Sequence, residues 1–385
     1  MEILIALLSA PVLVVTAFLC LEMAVGLRRT AQRSLAIPLS RAVVVVPAHN
    51  EEGGIGETLV RLCAEAKGLA DVLVVADNCT DATAQIARDC GVEVIERNDQ
   101  SRRGKGYALG FAQAHLSADP PATVAVIDAD CSIDRESLRL LISAAQQQRK
   151  PAQAVNLLRP GKHDPLVAVS NFAFMLKNLV RQRGLQRLAG SVHLTGTGMA
   201  LPWALFDHDR LSNGSIVEDI KFGIELTNDG YGPQLVPGAT VWSGPSSYDG
   251  TLVQRRRWEG GYIALAVSIA PRYLLDAVID RDPRGLCRAL DLCVPPIALL
   301  VLVNVALLAV TSVVTFGFSL SWWPIVLQLI ASLAAAVLIL IAWSREGRPF
   351  VSLPQLASMP IYVLRKIPLY LSMRHRGSAE WRSGR

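Results

Sequence analysis

The hydrophobic pattern divides the chain into two apolar ends and an alternating middle. From Ile3 to Leu27 apolar residues run almost unbroken, with Glu22 as the only charge. At ~1.5 Å per residue this predicts a helix able to cross a hydrocarbon core of about 30 Å. The stretch begins at acidic Glu2 and exceeds the apolar length of a cleaved leader, so it reads as a retained span. A second run, Leu292–Ser344, holds 53 residues without Asp, Glu, Lys, Arg or His. One helix of that length would measure about 80 Å. The turn-forming, aromatic stretch Phe316–Pro324 therefore predicts two spans joined by a short loop. Gly260–Ile279 and Phe350–Met373 are apolar but interrupted, the latter by Pro354, Pro360 and Pro368, and predict helices lying in the interface; a fourth span at Phe350–Leu371 is the alternative, disfavoured by its prolines and by Arg365-Lys366.

Between residues 40 and 260 short β-branched runs alternate with helical periods. Strands are predicted at Arg41–Val46, Asp71–Ala76, Gly91–Glu96 and Ala122–Ile127, and helices at Gly53–Lys67, Thr80–Cys90 and Gly106–Leu116. Such β-α-β-α order implies an α/β fold with a doubly wound, mainly parallel sheet. Ligands of these sheets bind beyond the carboxyl ends of the strands. Polar residues stand at three such ends: Pro47-Ala48-His49-Asn50-Glu51-Glu52, Asp77-Asn78-Cys79-Thr80-Asp81 and Asp128-Ala129-Asp130.

Composition adds orientation. The 385 residues are 51% hydrophobic and 18% charged, too apolar on average for an ordinary soluble enzyme. Arg28, Arg29 and Arg33 follow the first span, Arg281, Arg284 and Arg288 precede the second, and Arg345 and Arg348 follow the third. Arg365, Lys366, Arg374 and Arg376 lie in the tail. Three spans with the middle segment inside put all these charges on the cytoplasmic face of the cell's inner membrane. The net charge of +5 then reads as attraction to membrane lipids, and no nucleic-acid partner is expected. Seven cysteines form no C-x-x-C pair, as expected of reduced thiols in a cytoplasmic domain.

Candidate chemistry follows the strand ends. Asp128 and Asp130, two apart in an extended segment, face one way and suit a divalent cation that also binds phosphate. A D-x-D after a strand is as often a solvated loop. Lys105, between Gly104 and Gly106 at a helix start, suits a phosphate, against the plainer reading of a turn. Glu218-Asp219 opens a helix running to Asn228, where capping alone would explain the acids. The glycine-rich stretch His193–Met199 upstream suits close approach of a ligand, beside which a carboxylate can act as general base. In Gln254-Arg255-Arg256-Arg257-Trp258, Arg257 can hold a diphosphate and Trp258 a sugar face, or the cluster can meet lipid headgroups.

In that order these features resemble the inverting family 2 glycosyltransferases of GT-A fold, in particular the membrane branch containing cellulose synthase and hyaluronan synthase. The resemblance rests on Asp77, Asp128-Ala129-Asp130, Glu218-Asp219 and Gln254-x-x-Arg257-Trp258. It implies a nucleoside pocket at Pro47, Glu51 and Asp77, donor contacts at Lys105 and Asp128, and Mg²⁺ or Mn²⁺ on Asp130. It further implies Asp219 as the base, Glu218 and Trp258 at the acceptor, and Gln254 and Arg257 over the diphosphate of a UDP-sugar. Val217 stands where polymerising members often carry Thr.

The expected plan is a membrane helix at 1–27, a cytoplasmic GT-A domain at 40–258, and interfacial helices at 259–290. Two membrane helices follow at 291–344, then an interfacial helix and basic tail at 345–385. Three spans can hardly line a polar path for an exported polymer. The expected activity is therefore transfer of one sugar to a lipid-linked acceptor, in polysaccharide or glycolipid synthesis. A processive synthase is the rival, and a non-enzymatic membrane scaffold fits less well because every expected acidic position is filled.

Overall fold

Alternation along the first strand decides which layers form. A computed structural model describes residues 2–28, 40–160, 164–212, 218–244 and 248–372, without the side chains of residues 4, 5 and 248–254. Arg29, Arg33, Val217, Arg374 and Arg376 lie outside the described residues. The elements run α1 (Glu2–Gly26), β1 (Ala42–Ala48), α2 (Ile55–Ala66), β2 (Asp71–Asp77), α3 (Thr83–Asp89), β3 (Glu93–Arg97), α4 (Lys105–Leu116) and β4 (Thr123–Val126). Then come β5 (Cys131–Ile133), α5 (Arg135–Gln148), β6 (Ala152–Leu158), α6 (Pro165–Met175), a π-helical turn (Leu176–Arg181) and α7 (Gln182–Ala189). β7 (Met199–Pro202), α8 (His208–Leu211), α9 (Glu218–Asn228) and β8 (Gln234–Ser243) complete the sheet. The remainder is helical: α10 (Tyr248–Ile279), α11 (Pro283–Cys293), α12 (Ile297–Gly317), α13 (Trp323–Ala342), a second π turn (Trp343–Gly347), α14 (Leu353–Leu356), α15 (Met359–Arg365) and α16 (Ile367–Ser372).

The chain forms two compact units. In the sheet unit the strand order is β3-β2-β1-β4-β7-β6-β8-β5. β1 to β4 are mutually parallel, β7 is antiparallel to both β4 and β6, and β5 is antiparallel to β8. The α/β, mixed and mainly parallel sheet is as expected. Every residue of β1 is buried because both faces are covered, which is why it reads as a continuous apolar run. Val44 and Val46 join Ile55, Leu59 and Leu62 of α2 and Leu138 of α5, while Val43 and Val45 join Leu109 of α4 and Phe222 of α9. Pro47 pairs only with Val75 of β2, since pairing to β4 ends at Val45, so its missing N–H breaks no ladder there. With β2 and β4 on opposite sides of β1, the chain reverses direction across the sheet at β1, which opens a crevice at their carboxyl ends.

The helical unit contains α1, the α6–α7 insertion and the chain from Tyr262 onward. Among the described residues four helical stretches are long and apolar enough to cross a membrane: Ala6–Gly26, Arg255–Ile279, Ile297–Gly317 and Trp323–Gly347. That is one more than expected, because Arg255–Ile279 falls where an interfacial helix was expected and α10 runs unbroken through the expected domain boundary at 258. Residues 353–372 form three short helices, each with a proline in its first turn. Polar contacts join the spans: Asn304 donates to Thr16 Oγ1 at 3.1 Å, and Gln328 donates to the Asn304 carbonyl at 2.8 Å. Gly184 brings α7 against α1, where a β-carbon would stand 2.1 Å from the Glu22 carbonyl oxygen.

Glu22, the lone charge of the first apolar run, has a buried partner. Arg181, in the first π turn, donates to Glu22 at 2.5 Å and to Asp291 of α11 at 2.5 Å. One guanidinium thus ties three distant segments in a water-poor setting. Removing it would strand two buried carboxylates. Arg181→Ala is expected to lower stability by about 3–5 kcal/mol, read as a lowered thermal midpoint of the detergent-solubilised chain.

Candidate active site

The ends of β1, β2 and β3 build one side of the crevice. Asn50 and Asn78, just after β1 and β2, both take left-handed backbone (φ 54° and 52°), a conformation asparagine tolerates. Their side chains fix the turns: Asn50 Oδ1 accepts from Thr80 N at 2.8 Å, and Asn78 Oδ1 from Asp99 N at 2.8 Å. Glu51 donates its backbone N–H to Thr83 Oγ1 at 2.7 Å, so the segment after β1 is tied to the start of α3. His49 Nδ1 lies 2.7 Å from the Asp77 carbonyl oxygen.

Asp77 is fully buried. Its Oδ1 accepts from Arg97 at 2.7 Å and from Asn78 at 3.0 Å, while Oδ2 has no hydrogen-bond partner among the described residues. Burial raises its pKa against the lowering pull of Arg97 and Asn78. Arg97 also lies over the Tyr107 ring at 5.4 Å. Arg97 was not singled out from the sequence, although it ends β3 and obeys the same strand-end rule as Asp77.

The end of β4 and the starts of α4 and α9 build the other side. Lys105 Nζ donates to Asp128 Oδ1 and, at 2.9 Å, to the Gly196 carbonyl. The Asp128 N–H donates to Thr197 Oγ1 at 3.1 Å, fixing the first D-x-D residue to the glycine-rich loop. Gly196 has φ +77°, and a β-carbon there would stand 3.3 Å from Asp219 Oδ2 and 3.4 Å from Lys105 Nζ. The loop therefore passes between the lysine and the helix-opening acid, where a side chain would crowd both.

Lys105 is the electrostatic hub. Burial works to lower its pKa, yet Asp128, Glu218 and Asp219 together hold it above its ordinary value. Burial raises Asp130, with Asp128 adding repulsion. Glu218 is pushed up to about 7, first by burial and then by adjacent Asp219. Arg257 of α10 lies within electrostatic reach of Glu218 and Asp128. The Arg255 guanidinium stands 5.6 Å from the Trp258 ring centre, so the aromatic face proposed for a sugar also meets a cation. Gln254 lies in α10 with its side chain outside the described residues.

The donor set fits a hard divalent cation. Ligand atoms of Asp128, Asp130 and Cys131 lie within 4.8 Å of one another. Burial, then the charges of Asp130 and Asp128, push the Cys131 thiol well up, so it stays protonated and donates to Asp130 at 3.3 Å. The two carboxylates remain as oxygen ligands, as Mg²⁺ and Mn²⁺ prefer. The structure thus gathers Lys105, Asp128, Asp130, Glu218, Asp219 and Arg257, and sets Pro47, Glu51 and Asp77 at the ends of neighbouring strands.

A sheet of this order with acids at its strand ends defines a GT-A-type domain. The family model described as "Glycosyltransferase like family 2" matches residues 40–261, and the chain belongs to that family. A probable glycosyltransferase of Bacillus subtilis (strain 168), YdaM, is 24% identical over 241 residues, covering 59% of this chain and 57% of that protein. A low-salt glycan biosynthesis hexosyltransferase of Haloferax volcanii is 38% identical over 102 residues, 26% of this chain and 23% of that protein. The chain thus spans less than two thirds of either relative. A solved mannosyltransferase of Pyrobaculum calidifontis, in complex with GDP-Man and Mn²⁺, shares the fold over 95% of both chains with TM-score 0.52 and 18% identity.

The raised pKa of Glu218 has a direction that can be checked. A carboxyl with a folded pKa of about 7 and an ordinary value of 4.5 binds its proton more tightly when folded, so stability falls as pH rises through that window. Glu218→Gln removes that loss. The variant is expected to melt higher than the wild type at pH 8 and to converge with it near pH 4.5, read by thermal unfolding across pH.

Proposed function

We propose that the protein is an inverting, metal-dependent glycosyltransferase that moves one hexose from a UDP-sugar to a lipid-linked acceptor at the cytoplasmic face of the inner membrane. The observation that carries this reading is the convergence on Lys105 of the D-x-D pair and the Glu218–Asp219 pair. The first suits the donor's diphosphate and its cation; the second suits the acceptor hydroxyl. When bound, Mg²⁺ or Mn²⁺ on Asp130 would neutralise charge on the departing diphosphate. Lys105 and Arg257 add fixed positive charge there. Asp219 takes the proton of the acceptor hydroxyl, whose oxygen bonds to the anomeric carbon from the opposite face. The bond to the diphosphate oxygen breaks, and nucleoside diphosphate leaves with the electron pair.

Asp77 supports uracil as the base. Only Oδ2 is free to accept, with the Arg97 donor beside it. Uracil presents one N–H between two carbonyl oxygens, which suits one acceptor with a guanidinium beside it. Guanine presents two neighbouring N–H groups, which would leave one unpaired, a costly outcome in a buried site.

Membrane attachment supports a lipid acceptor. We read α10 as lying along the interface. Tyr262 Oη donates to the Asp291 carbonyl at 3.0 Å and lies 3.3 Å from those of Leu292 and Val294, while Gly285 lies against Ala277, so α11 folds back along α10. α11 has only 11 residues, about 16 Å. Its last turn is held to Glu22 through Arg181, near the arginine-flanked end of α1. A crossing α10 would leave Asp280, Arg281, Asp282 and Arg284 inside hydrocarbon, which is prohibitive. Exposed Val267, Leu275, Val278 and Ile279 would then face lipid.

Two experiments test this reading. Released nucleotide is expected from a UDP-sugar with Mg²⁺ or Mn²⁺, and Asp219→Asn is expected to abolish transfer while leaving UDP affinity within about twofold; normal turnover in that variant would remove Asp219 from the role of base. A cysteine replacing Arg284, in a background without the native cysteines, is expected to react with an impermeant maleimide in inverted vesicles and not in right-side-out ones. Labelling in right-side-out vesicles only, or in neither, would mean that α10 crosses.

A further inference from the structure

Lys105 and a divalent cation have claims on the same oxygen atoms. The lysine ammonium, only 12% exposed, hydrogen-bonds Asp128 Oδ1 and is held in place by the Gly196 carbonyl at 2.9 Å. That carbonyl is set by the positive φ of Gly196, where a β-carbon would come within 3.3 Å of Asp219 Oδ2 and 3.4 Å of Lys105 Nζ. The ammonium lies within electrostatic reach of Asp130, Glu218 and Asp219 as well. A cation approaching the D-x-D pair therefore meets a site whose negative charge is already partly neutralised, and whose first carboxylate is already engaged. A diphosphate changes the balance, because it offers the ammonium a second, stronger anion.

We propose that Lys105 makes metal and donor binding depend on each other, by competing with the divalent cation for Asp128 until the donor diphosphate draws its ammonium away. This rests on the reading of Asp128 and Asp130 as the site of a metal–diphosphate complex. Bound alone, the cation displaces the lysine or tolerates its charge, and binds weakly. Bound with the nucleotide, it meets a freed Asp128 and a diphosphate together. By linkage, the factor by which nucleotide tightens the metal equals the factor by which metal tightens the nucleotide. The lysine also spares the crevice the repulsion among its carboxylates when neither ligand is bound.

The test is Mn²⁺ binding to the full-length protein in detergent, followed by the electron paramagnetic resonance of free Mn²⁺, with and without saturating UDP or GDP. In the wild type, nucleotide is expected to tighten Mn²⁺ by about tenfold or more, within the usual range of coupling between sites. Lys105→Met is expected to bind Mn²⁺ alone about tenfold more tightly than the wild type and to shrink the nucleotide effect below about threefold. Lys105→Arg, which keeps the charge, is expected to keep weak metal binding without nucleotide. Unchanged or weaker Mn²⁺ binding in a Lys105→Met protein of native circular dichroism would overturn the proposal. Should that variant not fold, the wild type decides: Mn²⁺ and nucleotide binding independently of each other would overturn it equally. Absence of turnover with any nucleotide sugar would instead sink the transfer reading, leaving the coupling to stand or fall on its own measurement.

Discussion

Like-charge repulsion in a half-buried crevice is the constraint around which the sheet unit is arranged. Asp128 and Asp130 after β4, and Glu218 and Asp219 at the start of α9, approach one ammonium, that of Lys105. Burial first, and then this crowding, raise the pKa values of Asp130 and Glu218. The fold sustains it through parts with no other evident purpose. The loop through Gly196 and Thr197 squeezes between α4 and α9, gives its carbonyl to Lys105 and takes the Asp128 N–H. On the proposed reading, a site so arranged receives positive charge and a polyanion together.

The sheet explains why these groups meet. Parallel strands deliver their carboxyl ends to one edge, and the reversal at β1 separates β2 from β4, so the Asp77 group and the Asp128 group stand on either side of the same gap. On the proposed reading the buried Asp77–Arg97 pair serves recognition more than stability, since an unpaired carboxylate oxygen in a dry site costs free energy until a ligand N–H meets it.

Much of this was legible from residues alone. The first four strands and their helices follow from local alternation, and the observed bounds differ by a few residues, as for Gly91–Glu96 against Glu93–Arg97. The acids of the site were legible because each follows a strand or opens a helix. What escaped depends on contacts between distant segments. Nothing local marks β7 as antiparallel to β4, or β5 as the far edge beside β8. Glu22 reads as a blemish in an apolar run until Arg181 and Asp291 are placed beside it. Arg97 was passed over because its role lies in reaching back to Asp77, and Arg255 because only the helix sets it over Trp258. The continuity of α10 through residue 258 was hidden by a change in composition that the backbone ignores.

The proposed transfer stands on one bound complex, a cation and a diphosphate shared by residues after β4 and in α4 and α10. A structure of the full chain with Mn²⁺ and UDP, the ion located by its anomalous scattering, addresses that claim most directly. The expected result is a single ion within coordinating distance of the Asp130 carboxylate and the UDP diphosphate, with Lys105 and Arg257 against the phosphates and the base beside Asp77. An ion elsewhere, or a diphosphate bound away from Lys105, would contradict it.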